Sequence, residues 1–442
     1  MNRFISKMFC GLIAGAMIFG LSACVTDNST GSEIGTGTGN NGEEKVTIKL
    51  WHIWASDNET QKKPFEQIIK DYQKENPNIK LEVDAYENEA YKTKIKTSIA
   101  VQEEPDIFFT WGAGFAKPFV KSGSVLALDD YLDDGTKEKI STGTIDNFMY
   151  DEKIYGLPMY MWAAVLYCNQ ELFDQHNVKI PETYDELLHA VEVFNDADVI
   201  PITCGEKERW PGMFFQNILA IRTAGVKLCN KALNKETSFN QPEFIESAAK
   251  LEELVKAGAF DRGVMALTKD ESEASFKQGK VAMYYMGNWA AGQWNEADSS
   301  IKGKVVCKNF PSIKDAAGDP DGFLGGSIES FMVSSRSDVK EEAVKAVKYI
   351  SQKMSDYSAK EGYGLPVWKS EDDKSELLDE EDDINAQIFE LVEDSTGFVL
   401  AWDTFLEGAD ADVHKSLVAE IFAGTKTPEQ FAEEMQKLNT EK

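Results

Sequence analysis

Cysteine and histidine are scarce in this chain, no basic stripe interrupts its acidity, and no segment repeats; each shortage removes a class of function. Six cysteines occur in 442 residues and none forms a CxxC pair, so no thioredoxin-type redox motif or CxxC zinc site is encoded. Cys168, Cys204 and Cys307 sit in or beside apolar runs and read, with Cys229, as small buried hydrophobes. A Cys204–Cys229 disulfide stays open, because spacing does not determine pairing. The four histidines, His52, His176, His189 and His414, are scattered, which argues against a histidine metal cluster. HExxH, GxSxG and P-loop motifs are missing. Acids outnumber Lys plus Arg by 75 to 46, for a formal net charge of −29. Such a chain is not built to grip nucleic acid; the surplus charge favours solubility. Without a repeat at fixed period a solenoid is excluded. Gly37 to Gly42 matches GxGxxG, but no strand precedes it and no helix follows, so no dinucleotide cofactor is implied.

The N-terminus carries the sharpest signal. Arg3 and Lys7 precede an uncharged run, Met8 to Leu21, too short to span a bilayer, which takes roughly 20 residues. It fits the apolar core of a secretory signal over residues 1–23. Leu21-Ser22-Ala23-Cys24 resembles the bacterial lipobox, so Cys24 is expected to be lipidated and to become the mature N-terminus. Residues 24–45 follow as a tether: Val25 to Lys45 is rich in Thr, Ser, Asn and Gly and has no aromatic residue. Its composition buries too little to offset ordering entropy, and its span is roughly 25 Å. Farther on, Glu371 to Asp383 holds nine acids and one lysine. It reads as a solvated loop, lacking the ligand spacing and central glycine of the common calcium loop.

Beyond the tether about 400 residues remain, more than one core usually serves, so two lobes are expected. Ile48 and Leu50 alternate with polar residues as a half-buried strand, and Phe65, Ile68, Ile69 and Tyr72 mark one helix face ended by Asn76-Pro77. Further strand patterns at Ile79–Val83 and Asp106–Thr110 flank a helix with Tyr91, Ile95 and Ile99. Strand–helix–strand–helix–strand predicts a parallel sheet with right-handed crossovers, an α/β class. The pattern restarts from Ala163, and Val281–Met286, Lys304–Phe310 and Phe331–Val333 add strands.

Nine tryptophans carry the functional reading. Trp51 and Trp54 follow the first strand, Trp111 ends the third, Trp289 lies just past Met286, and Trp162 sits where one lobe gives way to the next. Trp210, Trp368 and Trp402 fall in connecting segments, and Trp294 in a helix. Ligands of open α/β sheets bind beyond the carboxyl ends of strands, so several of these indoles point toward a ligand. Flat rings cover the C–H faces of a pyranose while polar groups meet its hydroxyl rim. Trp51 and Trp368 are assigned to packing. The candidate ligand-binding set is Trp54, Ser56, Trp111, Trp162, Glu206, Trp210, Asn288, Trp289, Trp402 and Asp403.

Ile48-Lys49-Leu50-Trp51, Glu104-Pro105-Asp106-Ile107-Phe108, Ile154-Tyr155-Gly156-Leu157-Pro158 and Leu166-Tyr167-Cys168-Asn169 follow one another in order. Ala282-Met283-Tyr284-Tyr285-Met286-Gly287-Asn288-Trp289 and Phe422-Ala423-Gly424-Thr425-Lys426-Thr427-Pro428-Glu429 come later. With these marks the chain, from Val46 onward, resembles the family-1 extracellular solute-binding proteins, the group that includes maltose-binding protein. The resemblance implies a two-lobed periplasmic-binding-protein-like (type II) α/β fold closing around its ligand. Lobe 1 is expected over 46–159 and 308–368, lobe 2 over 160–307 and 369–442, with crossovers near Pro158–Trp162 and Val306–Phe310 and a return after Trp368. It implies a monomer that binds an oligosaccharide without a cofactor and passes it to the permease subunits of an ABC importer. Trp111, Trp162 and Trp289 fall at the family's sugar-facing positions. An acidic cleft position of that relative is here Trp162, and Trp111 runs into Gly112-Ala113-Gly114; a glycan other than maltose is implied. The rival class is a glycoside hydrolase, which also lines its cleft with tryptophan and needs two carboxylates; a binder of peptides, polyamines or metal on the same fold is the third reading.

Overall fold

The computed structural model describes residues 45–369 and 383–440. The expected signal segment, Cys24, the tether through residue 44 and the acidic stretch before Asp383 lie outside them. Thirteen strands are described: β1 (Val46–His52), β2 (Ile79–Ala85), β3 (Ile107–Trp111), β4 (Met149–Tyr150), β5 (Lys153–Ile154), β6 (Leu157–Pro158), β7 (Trp162–Asn169), β8 (Ile200–Thr203), β9 (Val281–Gly287), β10 (Val305–Lys308), β11 (Gly322–Gly326), β12 (Glu329–Val333) and β13 (Gly397–Val399). They form a first sheet ordered β2-β1-β3-β12-β6 and a second ordered β13-β11-β7-β9-β8, with β10 also paired to β7. The β4–β5 ladder stands apart.

The local reasons are those of the sequence. In β1, Ile48, Leu50 and His52 are buried while Thr47 and Lys49 are exposed, the period of a half-buried strand. Both β2 and β3 pair with it in parallel, joined through the helices Lys62–Glu75 and Asn88–Val101. Phe65, Ile68, Ile69 and Tyr72 bury one stripe of the former helix, and the backbone N–H of its cap residue, Asn76, donates to Tyr72 O. Every residue of β7 and of β9 is buried, as continuous apolar runs in a sheet centre should be. Cys168, Cys204, Cys229 and Cys307 are all buried free thiols, so the Cys204–Cys229 bridge is not formed. Among the described residues no helix is long and apolar enough to cross a membrane.

The chain passes from first sheet to second between β6 and β7, through Met159 to Met161. The next passage differs from expectation. Both β10 and β11 remain on β7, with Cys307 opposite Tyr167 and Gly325 opposite Ala163, and only β12 joins β3, with Glu329 opposite Trp111. The crossover is therefore Ser327-Ile328, not Val306–Phe310, and residues 308–326 lie with the second sheet. An apolar strand pattern reveals a strand without revealing its partner, which is why Lys304–Phe310 misled. The backbone supplies the physical mark: Gly325 and Gly326 have φ of 152° and 134°, a region L side chains avoid. A Cβ at Gly325 would meet Trp162 O at 2.1 Å. Trp368 packs into the first-sheet side, its Nε1 donating to Pro158 O at 2.7 Å. By the helix Asp383–Glu393, which packs on β10, the chain is back at the second sheet.

Candidate functional site

The two sheets face each other across a cleft of ≈ 470 Å³. The carboxyl ends of β1 and β3 bring Trp54, Ser56 and Trp111 to it, while the start of β7 and the end of β9 bring Trp162 and Trp289 from the other side. Trp210 and Phe214 come from the helix Trp210–Leu233.

The second-sheet wall is an aromatic box. Trp162 stacks on Phe214 with ring centroids 5.6 Å apart and 8° between planes. Trp289 meets Trp162 edge-on at 5.0 Å and lies 6.4 Å from Trp210. Trp289 is half-buried, whereas Trp162 is 3% and Trp210 7% exposed. Gly287 makes this placement possible: a Cβ there would lie 2.0 Å from the Trp289 ring, so the indole rests directly on the backbone. On the opposite wall Trp111 packs against Phe109 and Phe115 at 5.0 Å each, with Lys92 Nζ 4.9 Å from its ring centre, a cation–π distance.

The polar groups are largely preorganised by one another. Lys92 Nζ binds Asp403 Oδ2 at 3.0 Å and Glu89 Oε1 at 2.9 Å. Burial opposes the charge on Lys92, but Asp403 and Glu89 outweigh it and raise its pKa. Lys269 Nζ reaches across the cleft to Glu59 at 3.1 Å and holds Glu273 at 3.3 Å; Ser56 Oγ donates to Asp270 Oδ2 at 3.2 Å, and Thr60 Oγ1 donates to Trp289 O. At the floor, Glu329 begins β12 just past the crossover and accepts a hydrogen bond from Tyr160 Oη in the other crossover. Burial lifts the Glu329 carboxyl to about 7; Tyr160 opposes the shift, Glu59 adds to it, and Trp111 opposes it.

Of the ten expected ligand residues, seven line the cleft: Trp54, Ser56, Trp111, Trp162, Trp210, Trp289 and Asp403. Trp54 does so from within the core, 1% exposed and packed on Phe65 at 5.0 Å. Three do not line it. Glu206 is turned inward, its Oε2 accepting from Gly212 N at 2.8 Å, and Glu208, two residues along the same turn, lines the cleft instead. Asn288 Oδ1 accepts from Ala163 N at 3.2 Å and clips β9 to β7. Trp402 is fully buried between Phe239 at 5.2 Å and His414 at 4.9 Å; its neighbour Asp403 faces the cleft. Sequence reasoning missed Lys92, Phe214, Lys269 and Glu329. Two left a signal. Lys92 sits in the buried stripe of its helix with Tyr91, Ile95 and Ile99, and Glu329 opens a strand buried at every position.

Residues 56–355 match the family model for bacterial extracellular solute-binding proteins. The chain belongs to that family. Membership implies an extracytoplasmic location. A solved structure from work on xylan utilization by the thermophilic bacterium Caldanaerobius polysaccharolyticus is 43% identical, with TM-score 0.85, covering 89% of this chain and 99% of that one. A chitin oligosaccharide binding protein is 25% identical, with TM-score 0.81, over 90% of this chain and 98% of that one. In Streptococcus mutans, a multiple sugar-binding protein is 24% identical over 349 residues, 76% of this chain and 79% of its own. The latter two are binding proteins by name, and the two-lobed architecture is shared.

Proposed function

We propose that this solute-binding protein captures an oligosaccharide derived from xylan and delivers it to the permease of an ABC importer, acting as a monomer held to the membrane by lipid on Cys24. The observation that carries the reading is the box of Trp162, Phe214, Trp210 and Trp289 facing Trp111 across one cleft. Two opposed aromatic walls suit a chain of flat pyranose rings, each ring's C–H faces covered and its hydroxyl rim left to Glu59, Gln61, Asn88 and Glu329. Xylose has no exocyclic hydroxymethyl group, so both faces lie flat between such walls. The 43%-identical structure, from work on xylan utilization, points the same way.

Calorimetry against linear xylo-, chito- and malto-oligosaccharides tests the reading. Xylo-oligosaccharides should bind most tightly and be recovered intact. Preference for another series would replace the substrate class, and hydrolysis would support the enzyme reading. Mass spectrometry of the native protein should find a lipid adduct on Cys24, and Cys24→Ala should release the protein from the membrane fraction.

A further inference from the structure

The main cleft does not end at Asp403. Lys92 and Asp403 line it, and they also line a second chamber of ≈ 620 Å³ bounded by the helices Asn88–Val101, Ala113–Lys121 and Asp410–Phe422. Their ion pair, 3.0 Å long, stands where the two spaces meet. The second chamber gathers four cations in a protein whose formal charge is −29: Lys92, Lys96, Arg336 and Lys415 line it together with Glu89, Asp403 and Asp412.

Those charges are unevenly matched. Lys92 is held by Asp403 and Glu89. Lys415 is held by Glu89 at 3.1 Å and Asp412 at 3.3 Å. Arg336 is held by Glu104 at 2.5 Å. All three lining carboxylates are thus engaged. Lys96 is left over: half-buried, its Nζ lies 5.0 Å from the centre of the Phe115 ring, and among the described residues no carboxylate pairs with it. Burial lowers its pKa; Asp412 and Glu89 act in the opposite direction, and the positive charges of Lys92 and Lys415 add to the lowering. The chamber therefore holds a desolvated cation with room beside it and no anion of its own. An anion seated there would be held by a charge-assisted hydrogen bond in a partly water-excluded site.

We propose that this chamber is a subsite for a carboxylate-bearing substituent, a uronic acid, of the oligosaccharide whose neutral backbone lies in the main cleft, with Lys96 as its ion partner. The proposal rests on the carbohydrate reading above. Phe115, already under Lys96, offers the uronate ring an apolar face.

Calorimetry on the mature chain with linear xylotetraose, xylotetraose bearing one glucuronic acid branch, and free glucuronate tests it. The branched acid should bind about tenfold more tightly than the linear tetramer, the scale of one charge-assisted hydrogen bond. The advantage should shrink at high salt. Lys96→Met, which keeps the stem over Phe115, should abolish the advantage while leaving linear-tetramer affinity within about twofold; Lys96→Arg should retain it. Equal affinity for both tetramers in the wild type, or an advantage that survives Lys96→Met, overturns the subsite and leaves the carbohydrate reading intact. Free glucuronate binding as tightly as the branched tetramer, alongside bound xylotetraose, shows a separate anion site and also overturns it. Failure of both tetramers to bind removes the xylan reading on which the test rests, and this subsite with it.

Discussion

At the scale of single residues, the cleft tryptophans look alike in sequence and differ in the fold. Trp289 is half-buried and stands on Gly287, so Trp289→Ala removes a platform without opening the core. Stacking of this kind is worth roughly 1–3 kcal/mol on nucleobases, with sugar faces near the lower end, or about ten- to a hundredfold in affinity. Titration calorimetry should find that loss, with an apo melting temperature within a few degrees of wild type. Trp162 is 3% exposed and stacked on Phe214, so Trp162→Ala should lower both affinity and stability, the latter by about 3 kcal/mol or more. A large apo destabilisation from Trp289→Ala with affinity preserved would make Trp289 a packing residue. Glu329 gives a pH signature. Its carboxyl titrates at about 7 in the fold against an ordinary 4.5. Between those values the native state keeps a proton that the unfolded chain has lost, so this group's contribution to stability falls as pH rises from 4.5 to 7. Buried His52, lowered to about 4 by burial and then Lys62, and His414, lowered to about 3 chiefly by burial, act oppositely, losing stability as pH falls below 6.5. Melting curves of wild type and Glu329→Gln should therefore differ by a gap that closes toward low pH, the variant gaining relative stability as pH rises.

At the scale of elements, strand and helix positions were readable because apolar period is local, whereas the partner of each strand was not. β10 shows this: its pattern announces a strand, but only its pairing with β7, where β11 also pairs, shows that the chain crosses later, at Ser327-Ile328. The end of β9 carries a prediction. Gly287 has φ −60° and ψ 151°, which alanine adopts freely, so Gly287→Ala strains no backbone and acts through the displaced indole alone. Oligosaccharide affinity should fall as far as in Trp289→Ala, and the tryptophan emission of the apo protein should shift. An unchanged affinity would show that Trp289 has another productive position.

At the scale of the whole molecule, Lys269–Glu59, Ser56–Asp270 and Thr60–Trp289 join the two walls of the cleft. Such contacts set the balance between open and closed forms of a hinged protein. Glu59→Gln leaves Lys269 paired with Glu273 at 3.3 Å and Asp270 at 3.6 Å, so the fold should stand while the cross-cleft link weakens. Small-angle scattering should show a larger apo radius of gyration in the variant, returning to the wild-type value at saturating ligand. Identical apo profiles would show that the link does not govern closure.

What the sequence determined by itself is what depends on neighbours along the chain: the α/β alternation, and tryptophans beyond strand ends. Seven of the ten expected ligand residues do line the cleft on that basis. Tertiary structure decided the rest. Whether Trp402 or Asp403 faces the cleft depends on how a four-residue helix, Trp402–Phe405, wedges between the helix that follows it, Asp410–Phe422, and two helices far earlier in the chain, Ala113–Lys121 and Trp210–Leu233. Whether Lys92 is buried or solvated depends on Asp403, 311 positions later. A charge can be buried only where its partner arrives in space; the local pattern marks the stripe that Lys92 occupies and does not name that partner.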